Sequence, residues 1–314
     1  MTLTELKYIV ALARERHFGR AADACHVSQP TLSVAIRKLE EELGVQLFER
    51  RSAHVALTEI GERVVTQAKR VLDEASAVRE IARLGRDPLG APLRVGTIYT
   101  IGPYLLPGMI RQLQKRAPQM QLLLSENFTV RLLEQVRNGE IDVAILALPL
   151  PASGLSVQPV YDEPFVVAVP RRHAWTRRRA VASADLQTET MLLLGSGHCF
   201  RDQVLDVCPE LNRGSEATGS MQRTFEGSSL ETIRQMVATG IGVTVMPRTS
   251  TPSHVSRQSL VAYLPFRNPP PSRRVVLAWR RSFGRAAAIE ALRRAILDCP
   301  LEGVDKLDAP VEAL

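Results

Sequence analysis

The stretch "FGRAADACHVSQPTLSVAIRKLEEELGVQLFER", residues 18–50, restricts the fold of this chain more than any other. Phe18, Ala21, Ala22 and Cys25 recur at helical spacing, and the small alanines let a second helix approach closely. "HVS" is a short turn. Ser28 then stands as an N-cap, with Pro30 in the first helical turn, where its missing N–H is harmless. The helix that follows buries Leu32, Ala35, Ile36, Leu39 and Leu43 and turns Gln29, Thr31, Ser33, Arg37 and Lys38 outward. With Leu6, Ile9, Val10 and Ala13 on an earlier helix, the pattern predicts a helix-turn-helix. Residues 47–50 and 55–57 read as two short strands around a basic turn, a wing that brings Arg50 and Arg51 to phosphate. A plain three-helix packing module accounts for each feature singly. The ordered series favours double-stranded DNA as the partner, with Gln29, Pro30, Thr31, Ser33, Arg37, Lys38, Arg50 and Arg51 as the contacting residues.

Bulk charge does not locate that surface. The net charge of +7 and pI of about 9.6 permit a polyanionic partner, yet residues 1–88 carry 14 basic and 13 acidic side chains. The surplus lies downstream, at Arg171, Arg172, Arg177, Arg178 and Arg179 in the loop "RRHAWTRRR", to which the sequence assigns no role. At 314 residues, 45% hydrophobic and 23% charged, the chain reads as a globular protein of two or more domains. No apolar run approaches the ~18–20 residues of a membrane span, and the N-terminus has no basic region ahead of an apolar stretch. Four cysteines are too few for a disulfide scaffold, so a cytoplasmic protein without membrane attachment is expected, with no cofactor and no metal.

Thr58 reads as the N-cap of a long helix reaching about residue 85. Val64, Ala68, Val71, Ala75, Val78 and Ala82 repeat at alternating spacings of four and three, a heptad seam that predicts pairing with a second copy. "GRDPLGAP" ends that helix. Beyond it strands and helices alternate in a rhythm that predicts a parallel sheet with helices on both faces. Thr100 follows the first of these strands and Thr129 opens the helix after the second, where α/β folds place ligands; an N-capping role is the ordinary alternative for both. The segment after Leu301 reads as a loose tail.

Residues 18–50, followed by "LTEIGE", resemble the N-terminal winged helix-turn-helix of LysR-type transcriptional regulators. The resemblance implies an α/β chain with an all-α-rich N-terminal domain. A winged helix-turn-helix would occupy 1–58 and a linker helix 59–87. A two-lobed regulatory domain of the type II periplasmic-binding-protein kind would take 88–314, with lobe I over 88–161 and 268–314 and lobe II over 162–267. It also implies a homodimer through the linker, pairing into a homotetramer, and contact with RNA polymerase.

Within that family, "GSGHCFRDQVLDVC" resembles the redox segment of a peroxide-sensing subfamily. The resemblance makes Cys199 the thiol that hydrogen peroxide oxidises and Cys208 the thiol that resolves it into a disulfide. His198, Arg201 and Asp202 become the neighbouring polar groups, and Thr100 and Thr129 the pocket hydroxyls. A glutaredoxin or thioredoxin is the implied reductant. Physically, a helix over 199–208 would hold the two Cα atoms about 13 Å apart, whereas a disulfide needs roughly 4.4–6.8 Å, so the bond requires the helix to unwind. The helix N-terminus, His198 and Arg201 are each expected to favour the thiolate. Cys25 and Cys299 read as structural. Two other classes compete: a regulator answering a small organic effector in the inter-lobe cleft, and a thiol peroxidase. The DNA-reading head and paired linker are superfluous to the last, so no enzymatic turnover is expected.

Overall fold

The structure, a computed structural model, describes residues 1–51, 54–84, 89–151, 153–207, 225–227, 229–252 and 258–308. Two units divide the chain, Met1–Arg86 and Asp87–Leu314. In the first, α1 (Leu3–Glu15) is opened by a capping box between Thr2 and Glu5, and α3 (Gln29–Leu43) by Ser28, whose Oγ accepts from Thr31 N–H at 3.3 Å. Between them α2 (Phe18–Ala24) packs its alanines, and His26 takes the left-handed backbone of the turn at φ 56°. Leu6, Ile9, Leu12, Ala21, Ala22, Leu32, Ile36 and Leu39 form the core, while Leu43 slips out at the end of α3 with 37% of its surface exposed. β1 (Phe48–Arg51) and β2 (His54–Leu57) pair antiparallel as the wing.

Thr58 caps α4 (Glu59–Leu84), accepting from Gly61 N–H at 2.9 Å while its hydroxyl donates to the Gln46 carbonyl. Gly61 is required here, because a Cβ would lie 2.1 Å from the Leu47 carbonyl oxygen. The expected seam is divided. Val65 and Ala68 are buried in the core of this unit, so the first turns of α4 are a core helix, whereas Val71 and Val78 are exposed by 36% and 67%. The side chain of Ala82 lies outside the described residues.

In the second unit the chain builds two cores joined by two long strands. Lobe I holds β3 (Leu93–Ile98), β4 (Leu122–Asn127) and β5 (Val143–Ala147) with α5 (Gly102–Arg116), α6 (Thr129–Arg137) and α9 (Ala286–Leu297). Lobe II holds β7 (Leu192–Leu194), β8 (Phe225–Gly227), β9 (Thr244–Pro247) and β10 (Val261–Pro265) with α7 (Cys199–Val207) and α8 (Leu230–Ala238). β6 (Leu155–Pro170) serves both: up to Pro164 it pairs with β11 (Ser272–Arg280), and from Phe165 onward with β9 and β10. The sheet is therefore mixed rather than parallel. β3 runs parallel to β4 and β5, but β6, β9, β10 and β11 pair antiparallel, because the crossing strands run out of one lobe and back.

The C-terminal segment also departs from the expected loose tail. β12 (Asp305–Lys306) pairs with Tyr161 and Asp162 of β6, and Asp308 binds Arg293 at 3.1 Å and Arg294 at 2.9 Å. Arg293 has no exposed side-chain surface, so the segment up to Asp308 neutralises a charge that α9 buries.

Where β6 and β11 leave lobe I, two adjacent acids face two adjacent arginines in register, Asp162 with Arg274 and Glu163 with Arg273. The first pair is at the surface; the second has no exposed side-chain area on either partner, at 2.7 Å. Such a pair offsets its desolvation only when the remaining polar positions are filled. They are: Glu163 accepts from Thr249 N–H at 2.8 Å and from the Thr249 hydroxyl, and Arg273 donates to the Thr100 hydroxyl at 2.9 Å and its carbonyl at 3.0 Å. Glu163→Ala, which strands the guanidinium, is expected to lower stability by about 3–5 kcal/mol. The drop should show as a lower urea midpoint at unchanged slope, and Glu163→Ala combined with Arg273→Met should lose far less.

Candidate functional site

Three chain turns converge at the C-terminal ends of the lobe I strands. One is the end of β3, Ile98–Thr100; the second joins β4 to α6 at Asn127–Thr129; the third is Gly197–Cys199, leading into α7. They enclose a small cavity with room of about 10 Å³ for the centre of a water-sized molecule, close to the least that admits one water. Gly197 turns the chain into α7 at φ +93°, beside the Phe128 ring, a backbone that any side chain would strain.

Of the residues singled out from sequence, Thr100, Thr129, His198 and Cys199 line this cavity. Cys199 is the first residue of α7, half-buried and packed against the lobe I core. Neither threonine is an N-cap. The Thr100 hydroxyl accepts from Arg273, which leaves its own proton to donate elsewhere. The Thr129 hydroxyl oxygen is buried with no hydrogen-bond partner. His198 is 8% exposed and meets Phe128 and Tyr99 edge-on, ring centres 4.9 and 5.9 Å away. Burial lowers its pKa. His198 thus brings a neutral imidazole to the wall, not the positive charge expected from sequence.

Arg201 and Asp202 do not line the cavity. Arg201 turns back to the Leu194 carbonyl at 2.8 Å, and Asp202 is exposed on the first turn of α7. Cys208 lies outside the described residues, while Phe200 and Val204 of α7 are buried in lobe II. α7 is held from both lobes: Gln203 donates to the Leu148 carbonyl at 2.9 Å in lobe I, and Phe200 packs on Phe165 in lobe II. Sequence reading missed Arg273, which supports Thr100 and lies 5.3 Å from the centre of the Phe200 ring. Among the described residues, Cys25 and Cys299 are poor nucleophiles. Desolvation pushes Cys299 up to about 11 and also raises Cys25.

On the first unit, Gln29, Pro30, Thr31, Arg37 and Lys38 are exposed along α3 and Ser33 is half-buried, all six lying away from the buried Leu32, Ile36 and Leu39. Arg50 and Arg51 lie on β1, with side chains outside the described residues. Sequence reading passed over Val34, an apolar side chain 68% exposed on that helix. Among the described residues no helix is long and apolar enough to cross a membrane, and no cluster of His, Cys, Asp or Glu is placed to hold a metal ion.

The lowered pKa of His198 has a measurable consequence. An unfolded chain takes up a proton at this residue near pH 6.5, whereas the folded one resists until lower pH. Stability from this group is therefore complete above about pH 6.5 and is lost as pH falls through the folded value. Chemical denaturation between about pH 7.5 and 5.5 should show a smaller loss of stability for His198→Asn than for the parent chain; equal losses would contradict a buried neutral imidazole.

Residues 3–62 match the family of bacterial regulatory helix-turn-helix proteins of the lysR type, and residues 86–299 match the LysR substrate binding domain. The DNA-binding transcriptional dual regulator OxyR of Escherichia coli K12 is 42% identical over 296 residues, 94% of this chain and 95% of that protein. A full-length OxyR from Pseudomonas aeruginosa, in a cysteine-to-aspartate form, superposes with a TM-score of 0.78 at 49% identity, covering 99% of both chains. A Corynebacterium glutamicum OxyR cysteine mutant in its H2O2-bound form is 36% identical with a TM-score of 0.61, covering 94% of this chain and 91% of that one. The chain belongs to the LysR family of DNA-binding transcriptional regulators and, within it, to the OxyR group.

Proposed function

We propose that this chain is a DNA-binding transcription regulator switched by hydrogen peroxide at Cys199. The observation that carries the reading is a match of size and chemistry in one cavity. The space is far smaller than the pockets of roughly 300–1,000 Å³ that organic effectors occupy. Its wall holds a thiol, a buried hydroxyl lacking a partner and a second hydroxyl polarised by Arg273. A two-oxygen oxidant suits that wall and an organic effector does not. The relatives named for hydrogen peroxide-inducible genes, and the H2O2-bound relative, point the same way.

In the proposed chemistry the Cys199 thiolate attacks one peroxide oxygen and the O–O bond breaks. The sulfur becomes a sulfenic acid, and hydroxide leaves to take up a proton as water. Thr129 and Thr100 donate to the departing oxygen, and the Arg273–Thr100 bond strengthens the second donor. Neutral His198 closes the cavity as a hydrogen-bonding wall. Cys208 as thiolate then attacks the Cys199 sulfur and displaces hydroxide. Two thiols and one peroxide give one disulfide and two waters.

That second step cannot leave α7 intact. Cys199 and Val207 bound its described span, about 12 Å apart at 1.5 Å per residue. One further residue returns at most about 3.8 Å, which leaves Cys208 at least roughly 8 Å from Cys199, beyond the ~6.8 Å limit of a disulfide. Oxidation must unwind the helix that holds the two lobes. Arg201 and Asp202 serve here as parts of α7, not as thiolate partners. The changed regulatory unit then alters DNA binding by α3 and the wing, in a homodimer joined through α4 that pairs into a tetramer, contacts RNA polymerase and is reset in the cytoplasm by a glutaredoxin or thioredoxin.

Mass analysis of tryptic peptides containing Cys199 and Cys208, before and after brief low-micromolar peroxide, tests the switch. The expected product is one crosslinked pair, with Cys208→Ser stopping at a sulfenic acid and Cys199→Ser unreactive; no change at Cys199 in the parent chain would sink the reading. Thr129→Val should slow the first oxidation at least about tenfold, the kinetic worth of one ~1.4 kcal/mol hydrogen bond. For the DNA face, Val34 fits the methyl group of a thymine. Val34→Ser should weaken preference at one T·A position by about 1 kcal/mol in selection from random duplexes, without altering peroxide reactivity.

A further inference from the structure

Five of the seven net positive charges of the chain correspond to one nine-residue loop, 171–179, which contains five arginines and no acid. The helix-turn-helix and linker, residues 1–88, are nearly neutral by comparison. This loop is firmly built. Trp175 at its centre is 4% exposed and belongs to the lobe II core. The His173 ring accepts from Trp175 N–H at 3.3 Å, stands edge-on to the indole at 4.9 Å, and has Nε2 3.3 Å from Glu189. Backbone bonds from His173 to Pro170, Thr176 to His173 and Arg178 to Trp175 wind the chain through successive turns, and Arg171 N–H is tied to the Leu260 carbonyl.

Arg178 is engaged within the fold, 5.5 Å from the Trp175 ring centre and 3.1 Å from Asp185. Arg171, Arg172, Arg177 and Arg179 are exposed and, among the described residues, form no ion pair. We propose that these four arginines form a second anion-binding surface that grips the phosphate backbone of duplex DNA, independently of base sequence and of the peroxide switch. Two observations favour DNA over an acidic protein. Protein interfaces are anchored by exposed aromatic or large apolar side chains; within loop 171–179 the one such residue, Trp175, is buried, and the exposed side chains between the arginines are Ala174 and Thr176. Guanidinium forks alone suffice for phosphate. The charge distribution agrees, since the unit that reads bases carries little of the net charge that sequence-independent affinity requires.

The test uses the reduced full-length protein with Arg171→Ser, Arg172→Ser, Arg177→Ser and Arg179→Ser combined, leaving Arg178 on Trp175. Binding to a long mixed-sequence duplex is followed by fluorescence anisotropy between about 50 and 200 mM salt. Each lost phosphate contact should make the plot of log affinity against log salt shallower by about 0.9, so a change of roughly 2–4 is expected. The matching lysine variant should restore the slope. Arg172→Glu and Arg177→Glu, single changes at exposed positions, give the same readout should the fourfold variant fold poorly. An unchanged slope in these variants overturns the proposal. If the slope holds while activation in a reconstituted transcription reaction falls, the partner is an acidic protein surface and the DNA assignment is wrong.

Discussion

The buried pair of Glu163 and Arg273 is the constraint to which the regulatory unit is fitted. Two charges withdrawn from water are stable only if every partner stays in place, and their partners come from both lobes. Thr249 on the lobe II side holds the carboxylate, and Thr100 at the end of β3 receives the guanidinium. Phe200 of α7 lies against the same guanidinium. The pair therefore fixes the crossing of β6 and β11, sets one wall of the cavity and supports the helix that begins at Cys199. Geometry at the sulfur and geometry between the lobes are coupled through one set of hydrogen bonds.

That coupling gives a short helix large consequences. α7 has nine described residues, fewer than the roughly 12–15 at which an isolated helix becomes marginal in water. It exists because Phe200 and Val204 are buried in lobe II, Gln203 is tied to Leu148 and Cys199 packs on lobe I. A helix held by tertiary contacts rather than by its own propensity can be undone by one covalent bond. In the proposed switch, unwinding draws Phe200 and Gln203 from their sites together, so both lobes register the change. A longer, self-sufficient helix would resist the crosslink, and a loop would transmit nothing.

The parts legible in the sequence are those encoded locally. Ser28, Pro30 and the spacing of Leu32, Ile36 and Leu39 define α3 without reference to anything distant, and Thr58 does the same for the start of α4. Thr100 and Thr129 stood out because strand ends in α/β folds gather ligands, which is a rule of topology. What escaped depends on pairing between distant segments. Glu163 and Arg273 are 110 residues apart, and each reads alone as one charge in an apolar strand. A signal was present: "DE" before one apolar run and "RR" before another suit two strands that pair antiparallel, one charge pair facing out and the other in. The mixed sheet, the strap at Asp305–Asp308 and the neutral His198 were likewise settled by tertiary contacts that no local pattern announces. Val65 was missed because a strict heptad count passes over it, while the helix turns it toward α1.

The division of labour at the site follows from magnitudes. A thiol of ordinary pKa near 8.5 is about 3% ionised at pH 7, so complete ionisation raises its reactivity by at most roughly 30-fold. A selective sensor needs more than that, and charge beside the sulfur cannot supply it. The arrangement around Cys199 fits this limit: Arg273 does not end on the sulfur but on the Thr100 hydroxyl, and burial keeps His198 neutral. In the proposed mechanism both features direct donors at the oxygen that must depart, the atom on which charge develops as the O–O bond breaks. In the same mechanism the small size of the cavity adds discrimination against bulkier oxidants. In the proposed mechanism selectivity resides in the wall of the cavity, and the sulfur itself need only be an accessible thiolate.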